Sequence, residues 1–335
     1  MKTNPTDEGD PSPPSIKAST NAVIERFQHI LSGEVNPLGL DTGFPELDRI
    51  IGGLAPGKLV VIASRPGMGK TTLMLNIVEH LCFEKKISGY VLTGDLSATD
   101  LVERLILGGA RVSHEQISSQ PTELTKGDLL RIQRAAVTIA GSANIVDDTR
   151  GISIESLRSK VLLAKESNEI AFVAIDHLHL LSSDAQKPWP SRKQEMDEVV
   201  RQLKSLAREL DLPVLVLAQL KRRADSRPFP TLSDLRESAA LEYEADVIGL
   251  LHRRQGGEIN GEHVPEDQSW IELKIAKNRQ GQTGSAGFIY FDVIQSFFPV
   301  LTEEGEMRMA WDDHRGDEYD QEQDEEIARM GLDRY

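Results

Sequence analysis

The stretch SRPGMGKTT (Ser64–Thr72) decides the fold through what flanks it: the apolar run KLVVIA (residues 58–63) leads into it and TLMLNIVEH (residues 72–80) runs on from it. An apolar run, a glycine-bearing turn, then Lys and Thr at the head of a second apolar segment read as strand, phosphate loop and helix. Glycines let backbone N–H groups close round phosphate oxygens, and the helix N-terminus adds its dipole. On this reading Ser64, Arg65, Pro66, Gly67, Met68, Gly69, Lys70, Thr71 and Thr72 bind a nucleotide, Lys70 reaching the outer phosphates and Thr71 holding Mg2+. Ser64 stands where such loops usually carry Gly, while Gly67 and Gly69 keep the turn compact. The bland alternative is a plain glycine turn between strand and helix.

Working outward, β-rich runs recur at GYVLTG (89–94), IAFVAID (170–176), LPVLVLAQ (212–219), ADVIGLL (245–251), WIELKIAKN (270–278) and GFIYFDV (287–293). Helical periods separate the early runs, as in Val199, Leu203, Leu206 and Leu210. This alternation predicts an α/β fold: a mostly parallel central sheet with helices on both faces and antiparallel edge strands. Ligands in such sheets bind at the carboxyl ends of the strands. Asp176 ends IAFVAID, where a phosphate loop needs a second group on the Mg2+ side; a strand-terminal cap is the alternative. Asp95, just past the run Tyr90–Leu92, either faces water as a loop residue or is aimed at the reacting phosphate. His177 and His179 lack a third ligand nearby in sequence, so they read as polar histidines and not as a zinc site.

Composition permits this and excludes little. A chain of 335 residues, 39% hydrophobic and 27% charged, is ordinary for one large domain with flanks. Its one cysteine, Cys82, rules out an intramolecular disulfide and suits a reducing cytosol. No apolar run approaches the ~18 residues that span a bilayer, so no membrane partner is expected. The net charge of −15 does not argue against nucleic acid, because residues 303–335 hold 13 acidic and 4 basic side chains and leave only −6 for the rest. We read residues 1–15 as disordered, 16–36 as a linker helix (Val23, Phe27, Ile30 and Leu31 on one face), 37–301 as the main domain and 302–335 as an acidic tail. The linker helix would pack on its own body or dock as an arm on a neighbouring subunit.

Six segments in order, GLDTGFPELDRIIGGLAPGKLVVIASRPGMGKTT, LTGDLSATDLVERLI, VAIDHLHLL, VLAQLKRR, SDLRESAALEYEADVIGLLHR and AKNRQGQTG, make residues 37–300 resemble the motor domain of DnaB-type replicative helicases. The resemblance implies a RecA-like P-loop NTPase that uses ATP and Mg2+, forms a homo-hexameric ring, and moves 5′ to 3′ on single-stranded DNA to unwind duplex during replication. It also implies a cytoplasmic, nucleoid-associated protein. By position, Asp95 stands where the family has the glutamate that orients the attacking water, and Asp176 matches the Mg2+-side acid. Gln219 resembles the polar sensor, and Lys277 and Arg279 the basic pair that reaches the neighbouring subunit's γ-phosphate. A solvated basic turn is the plain reading of that pair. The family also carries an N-terminal helical domain that contacts primase; about 36 residues precede the motor here, and the sequence gives no support for a primase or loader.

For DNA, SDLRES (233–238) matches the family loop that lines the ring's channel, with Arg236, Glu237 and the backbone near Ala239 as contacts. The family has Gly where Ala239 stands, which puts a contact needing positive φ in doubt. A helix cap, with Ser233 capping, is the alternative reading of the same stretch. A second candidate is the loop 182–193, where Lys187, Arg192 and Lys193 would follow a phosphate backbone and Trp189 would stack on a base. A stiff turn packed on its own body is its alternative. The rival to a helicase motor is a RecA-like DNA-binding ATPase with slow hydrolysis and no processive unwinding, which the short Asp95 favours.

Overall fold

The run KLVVIA forms the strand β1 (Leu59–Ser64), every residue of it buried, at the centre of the computed structural model. The structure describes residues 39–119, 124–142, 144–183, 189–221, 229–235, 239–253, 268–291 and 293–303, with the backbone of a few short segments besides. A strand apolar at every position needs cover on both faces, and β1 has it. Leu59, Val61 and Ala63 face one core beneath the helices Ile154–Asn168 and Arg192–Leu210, while Val60 and Ile62 face another beneath Lys70–Phe83 and Ala98–Ala110.

The remaining strands are β2 (Gly89–Thr93), β3 (Ile145–Asp147), β4 (Phe172–Asp176), β5 (Val214–Gln219), β6 (Val247–Arg253), β9 (Gln268–Asn278), β10 (Gly284–Phe291), β11 (Ser296–Glu303) and β12 (Glu306–Met309); β7 (Glu258–Ile259) and β8 (Glu262–His263) form a separate hairpin. Sheet order is β12-β11-β10-β9-β6-β1-β5-β4-β2-β3. Strands β6 through β3 in that order pair in parallel, and β9 to β12 extend the sheet antiparallel. The α/β class and its antiparallel extension are therefore as expected from sequence. Two strands are not: the edge strand β3 is three half-buried residues, too short to carry a period, and β11, between β12 and β10, contains Pro299. Because β11 ends at Glu303 and β12 pairs with it, the sheet continues past residue 301; residues 310–335, most of the expected acidic tail, lie outside the described residues.

The helix Arg192–Leu210 buries Val199, Leu203, Leu206 and Leu210, the face its spacing predicts. On the same helix Lys204 is buried and donates to Asp246 Oδ2 at 2.6 Å and to Gly57 O at 2.8 Å. Asp246 also accepts from Leu59 N–H at 2.9 Å, so one buried ion pair fixes the starts of β1 and β6. Removing one partner of such a pair costs about 3–5 kcal/mol because the other charge stays buried. Near the N-terminus the described residues between Ile16 and Gln28 are helical, but Val23, Ile24 and Phe27 are 48%, 48% and 57% exposed. Those side chains are not packed on this chain's own core, against the own-body reading; Ile30, Leu31 and residues 1–15 lie outside the described residues.

Candidate active site

At the end of β1, Ser64 is fully buried; its hydroxyl donates to Arg65 O at 2.8 Å and its carbonyl accepts from Leu220 N–H at 3.0 Å. The loop then turns through Gly67 (φ 76°) and Gly69 (φ 81°), left-handed conformations that side chains rarely adopt. The space beside Gly67 is open within 4 Å, whereas a Cβ on Gly69 would lie 2.8 Å from Phe297 Cζ. Exposed Pro66 and Gly67 form the loop's tip, and Met68 packs against the core from its rim. Lys70 opens the helix Lys70–Phe83, and its ammonium has no partner among the described residues. A cation held without a counter-charge at a helix N-terminus suits an anionic ligand.

Thr71 Oγ1 donates to Asp176 Oδ2 at 2.7 Å. Asp176 is 2% exposed, and its Oδ1 has no hydrogen-bond partner. A buried carboxylate oxygen left unsatisfied costs about 1–3 kcal/mol. One hydroxyl and one carboxylate, with a lone pair to spare, form the sparse oxygen donor set that Mg2+ takes when phosphates and waters complete its shell. The residues fit that ion. No cluster of three His, Cys, Asp or Glu able to hold a metal is found among the described residues.

Register brings the other expected groups to the same edge. Gln219 pairs with Ser64 across β5 and β1, and Thr93 pairs with Asp176 across β2 and β4. Asp95 follows β2 directly, its side chain 66% exposed and Oδ2 lying 3.5 Å from His177 Nδ1. The phosphate loop, Asp95, Asp176 and Gln219 thus meet at the carboxyl ends of four adjacent strands. A cleft of about 340 Å³ starts at Thr72 and continues along the same helix past Asn76 and Glu79, with Glu103 and Arg104 on its far wall. Glu79 lies half-buried against Gly108 on the cleft wall, and desolvation there pushes its carboxyl up to about 7. Sequence reasoning singles out neither His177 nor Glu79 as a site residue; adjacency to Asp176 is the only signal for the first, and nothing marks the second inside its apolar helix.

Lys277 and Arg279 are not at this edge. β9 runs antiparallel to β6 with Val247 opposite Asn278, and Val247 lies opposite Val60 of β1, so the pair sits at the amino ends of the parallel strands. Arg279 is exposed in the bend after β9, but neither side chain is without a partner. Lys277 Nζ donates to Glu242 O at 2.7 Å and Tyr243 O at 3.0 Å, and the Arg279 guanidinium also donates to Tyr243 O, so both cap the carboxyl end of the helix Ala239–Glu244. Burial, reinforced by the neighbouring Arg279 charge, lowers the Lys277 pKa.

Of the DNA candidates, Arg236, Glu237 and Lys187 lie outside the described residues. Ala239 is exposed and begins the helix Ala239–Glu244. Ser233 is not a helix cap: it lies inside the 3-10 turn Leu232–Asp234, which Thr231 and Asp234 close. Arg192 is tied down, to Glu195 at 2.8 Å and to the carbonyls of His179 and Leu181 at 3.3 Å each. Lys193 is exposed, and Trp189 is half-buried with its indole nitrogen unpaired.

The fold and this edge define a RecA-like P-loop NTPase domain. Residues 39–298 match the family described as DnaB-like helicase C terminal domain, and the chain belongs to that family. It is 31% identical over 273 residues to the replicative DNA helicase DnaC of Bacillus subtilis (80% of this chain, 58% of the relative) and 35% identical over 266 residues to a probable replicative DNA helicase of Trieres chinensis (78% and 58%). The chain therefore spans less than two thirds of the length of these relatives. Among solved structures, one described as an ATPase domain aligns with a TM-score of 0.74 at 29% identity, covering 86% of this chain and 99% of that one. A DnaB-like replicative helicase solved with its primase interactions aligns at 0.72 and 30%, covering 85% and 67%.

Proposed function

We propose that this chain is the motor of a ring-forming, ATP-dependent DNA helicase that couples hydrolysis to 5′–3′ movement on single-stranded DNA and to duplex unwinding in replication. One observation supports the reading: the phosphate loop lies at the carboxyl ends of the parallel strands and the Lys277–Arg279 pair at their amino ends. Phosphoryl transfer needs positive charge beside the γ-phosphate. A chain that does not bring its arginine to its own nucleotide would supply it to the next copy, and a head-to-tail contact whose rotation closes forms a ring, which on this reading is a hexamer.

In this mechanism Lys70 and the loop N–H groups bind the β- and γ-phosphates, and the cleft beyond Thr72 takes the nucleoside. Thr71 and Asp176 would hold Mg2+, which when bound offsets phosphate charge. Asp95 orients the attacking water, and Gln219, between β1 and β4, responds to the state of the phosphates. Lys277 and Arg279 of the neighbouring copy stabilise charge that develops during transfer. The exposed apolar face of the N-terminal helix serves as an arm on a neighbouring subunit. Arg236 and the backbone N–H groups at Glu237 and Ala239, with Lys193, Lys187 and Arg192 as a second set, would contact DNA phosphates and carry no sequence readout. Such a motor works in the cytoplasm at the nucleoid; no helix among the described residues is long and apolar enough to cross a membrane.

Single-stranded DNA should stimulate ATP hydrolysis, a forked duplex should be unwound, and negative-stain images with an ATP analogue should show six-fold rings. A filament or a monomer under those conditions would sink the reading. The exposed, short Asp95 favours a second one, a RecA-like DNA-binding ATPase, for which slow hydrolysis, stable DNA complexes and no unwinding are expected.

A further inference from the structure

We propose that His177 is a positioning residue for Asp95: its Nδ1 pairs with the short carboxylate and fixes its orientation. The inference rests on the reading of Asp95 as the water-orienting acid. Topology makes the two residues neighbours, since β2 and β4 run parallel with Thr93 opposite Asp176, and the chain leaves both strands side by side. The segment carrying Asp95 is pressed onto the turn after His177, because a Cβ on Gly94 would lie only 2.2 Å from Leu180 Cδ2. Asp95 cannot lift away without breaking that contact.

The His177 ring is 12% exposed and packs 5.5 Å from the ring of His179 at 46°. Its Nδ1 is fully buried and makes no hydrogen bond. Two carboxylate oxygens face it, Asp95 Oδ2 at 3.5 Å and Asp176 Oδ1 at 4.0 Å. Asp176 is held through its other oxygen by Thr71, and Asp95 is the nearer and the more exposed of the two. A shift of about half an ångström brings Asp95 into hydrogen-bond range. Burying a nitrogen without a partner is unfavourable, and a charge-assisted bond to a carboxylate is the strong way to satisfy it. A carboxylate on a short stem at the surface otherwise samples several rotamers, and an ångström of misplacement is costly in rate. A second side chain thus does for an aspartate what length would do for a glutamate.

Steady-state ATPase assays on the full chain, with nucleotide affinity read from a fluorescent ADP, test this. His177→Leu should lower kcat about tenfold while KM changes less than about twofold, and His177→Asn, whose amide nitrogen overlays Nδ1, should stay within about threefold of wild type. In the Asp95→Glu background, His177→Leu should cost under about threefold, because the longer acid needs less support. An unchanged kcat in His177→Leu, an equal loss in both backgrounds, or an asparagine variant as poor as leucine would overturn the pairing. If the leucine variant does not fold, His177→Gln, which carries its amide one methylene further out, should fall about tenfold below His177→Asn, and equality of the two overturns the proposal. Asp95→Asn assayed alongside separates the two levels. Full turnover there sinks the role given to Asp95 and the pairing with it, while a dead Asp95→Asn beside an unaffected His177→Leu sinks the pairing alone.

Discussion

Thr71 Oγ1 donates to Asp176 Oδ2 across 2.7 Å, joining the phosphate loop to the end of a strand 105 residues away. Thr71→Val keeps the shape and removes the hydroxyl, taking the Thr71 bond from Oδ2 of a carboxylate that is 2% exposed and whose Oδ1 already has none. Thermal unfolding should show a loss of about 1–3 kcal/mol. Mg2+-dependent hydrolysis should fall on the order of a hundredfold, read by titrating Mg2+ against ATPase rate.

Asp95 carries its acid on one methylene fewer than a glutamate, a withdrawal of about 1.5 Å. Asp95→Asn should abolish turnover with nucleotide affinity retained. Asp95→Glu should equal or exceed wild type. Full activity in Asp95→Asn would point instead to another carboxylate, although Asp100 is engaged in a capping box with Ser97 and Glu103 lies 3.5 Å from His114.

Because Lys70 and Arg279 lie at opposite ends of the parallel strands, their variants should complement each other. Lys70→Ala and Arg279→Ala should each be inactive alone. Mixed in equal amounts, roughly a quarter of head-to-tail interfaces pair an intact phosphate loop with an intact arginine, so ATPase activity should reappear. No recovery on mixing, with rings still formed, would place the two groups in the same site.

Glu79 links stability to pH. Its carboxyl ionises at about 7 in the folded chain against 4.5 when free, with burial the main cause. Between those values the folded chain holds a proton that the unfolded chain has released, so stability declines as pH rises through this window and stays lowered above it. Glu79→Gln should remove that decline, an effect of at most about 3 kcal/mol. Melting temperatures of both proteins at about pH 5 and about pH 8 check the sign: the gap in favour of the variant should widen at the higher pH.

The β1 run is apolar without alternation and the Arg192–Leu210 face is periodic, and both patterns report burial that any packing of this chain must provide. They are legible because they are local. β3 is not, since three half-buried residues carry no period and are strand only by pairing with β2. β11 escapes a sequence reading because Pro299, tolerated opposite Phe288, reads as a break. Arg192 reads as a free cation until the fold supplies the carbonyls of His179 and Leu181.

The fold class and the phosphate loop are legible in the chain alone, because Gly67, Gly69, Lys70 and Thr71 must fall within one short turn to wrap a phosphate. The sequence also named Asp95, Asp176 and Gln219 as strand-end polar groups. Tertiary structure alone decided their company. Parallel register set His177 beside Asp95, and the reversal of β9 carried Lys277 and Arg279 to the far edge. The reason is physical: a local motif is fixed by backbone conformation over a few residues, whereas which side chains face each other depends on strand order and direction, which only the assembled sheet specifies.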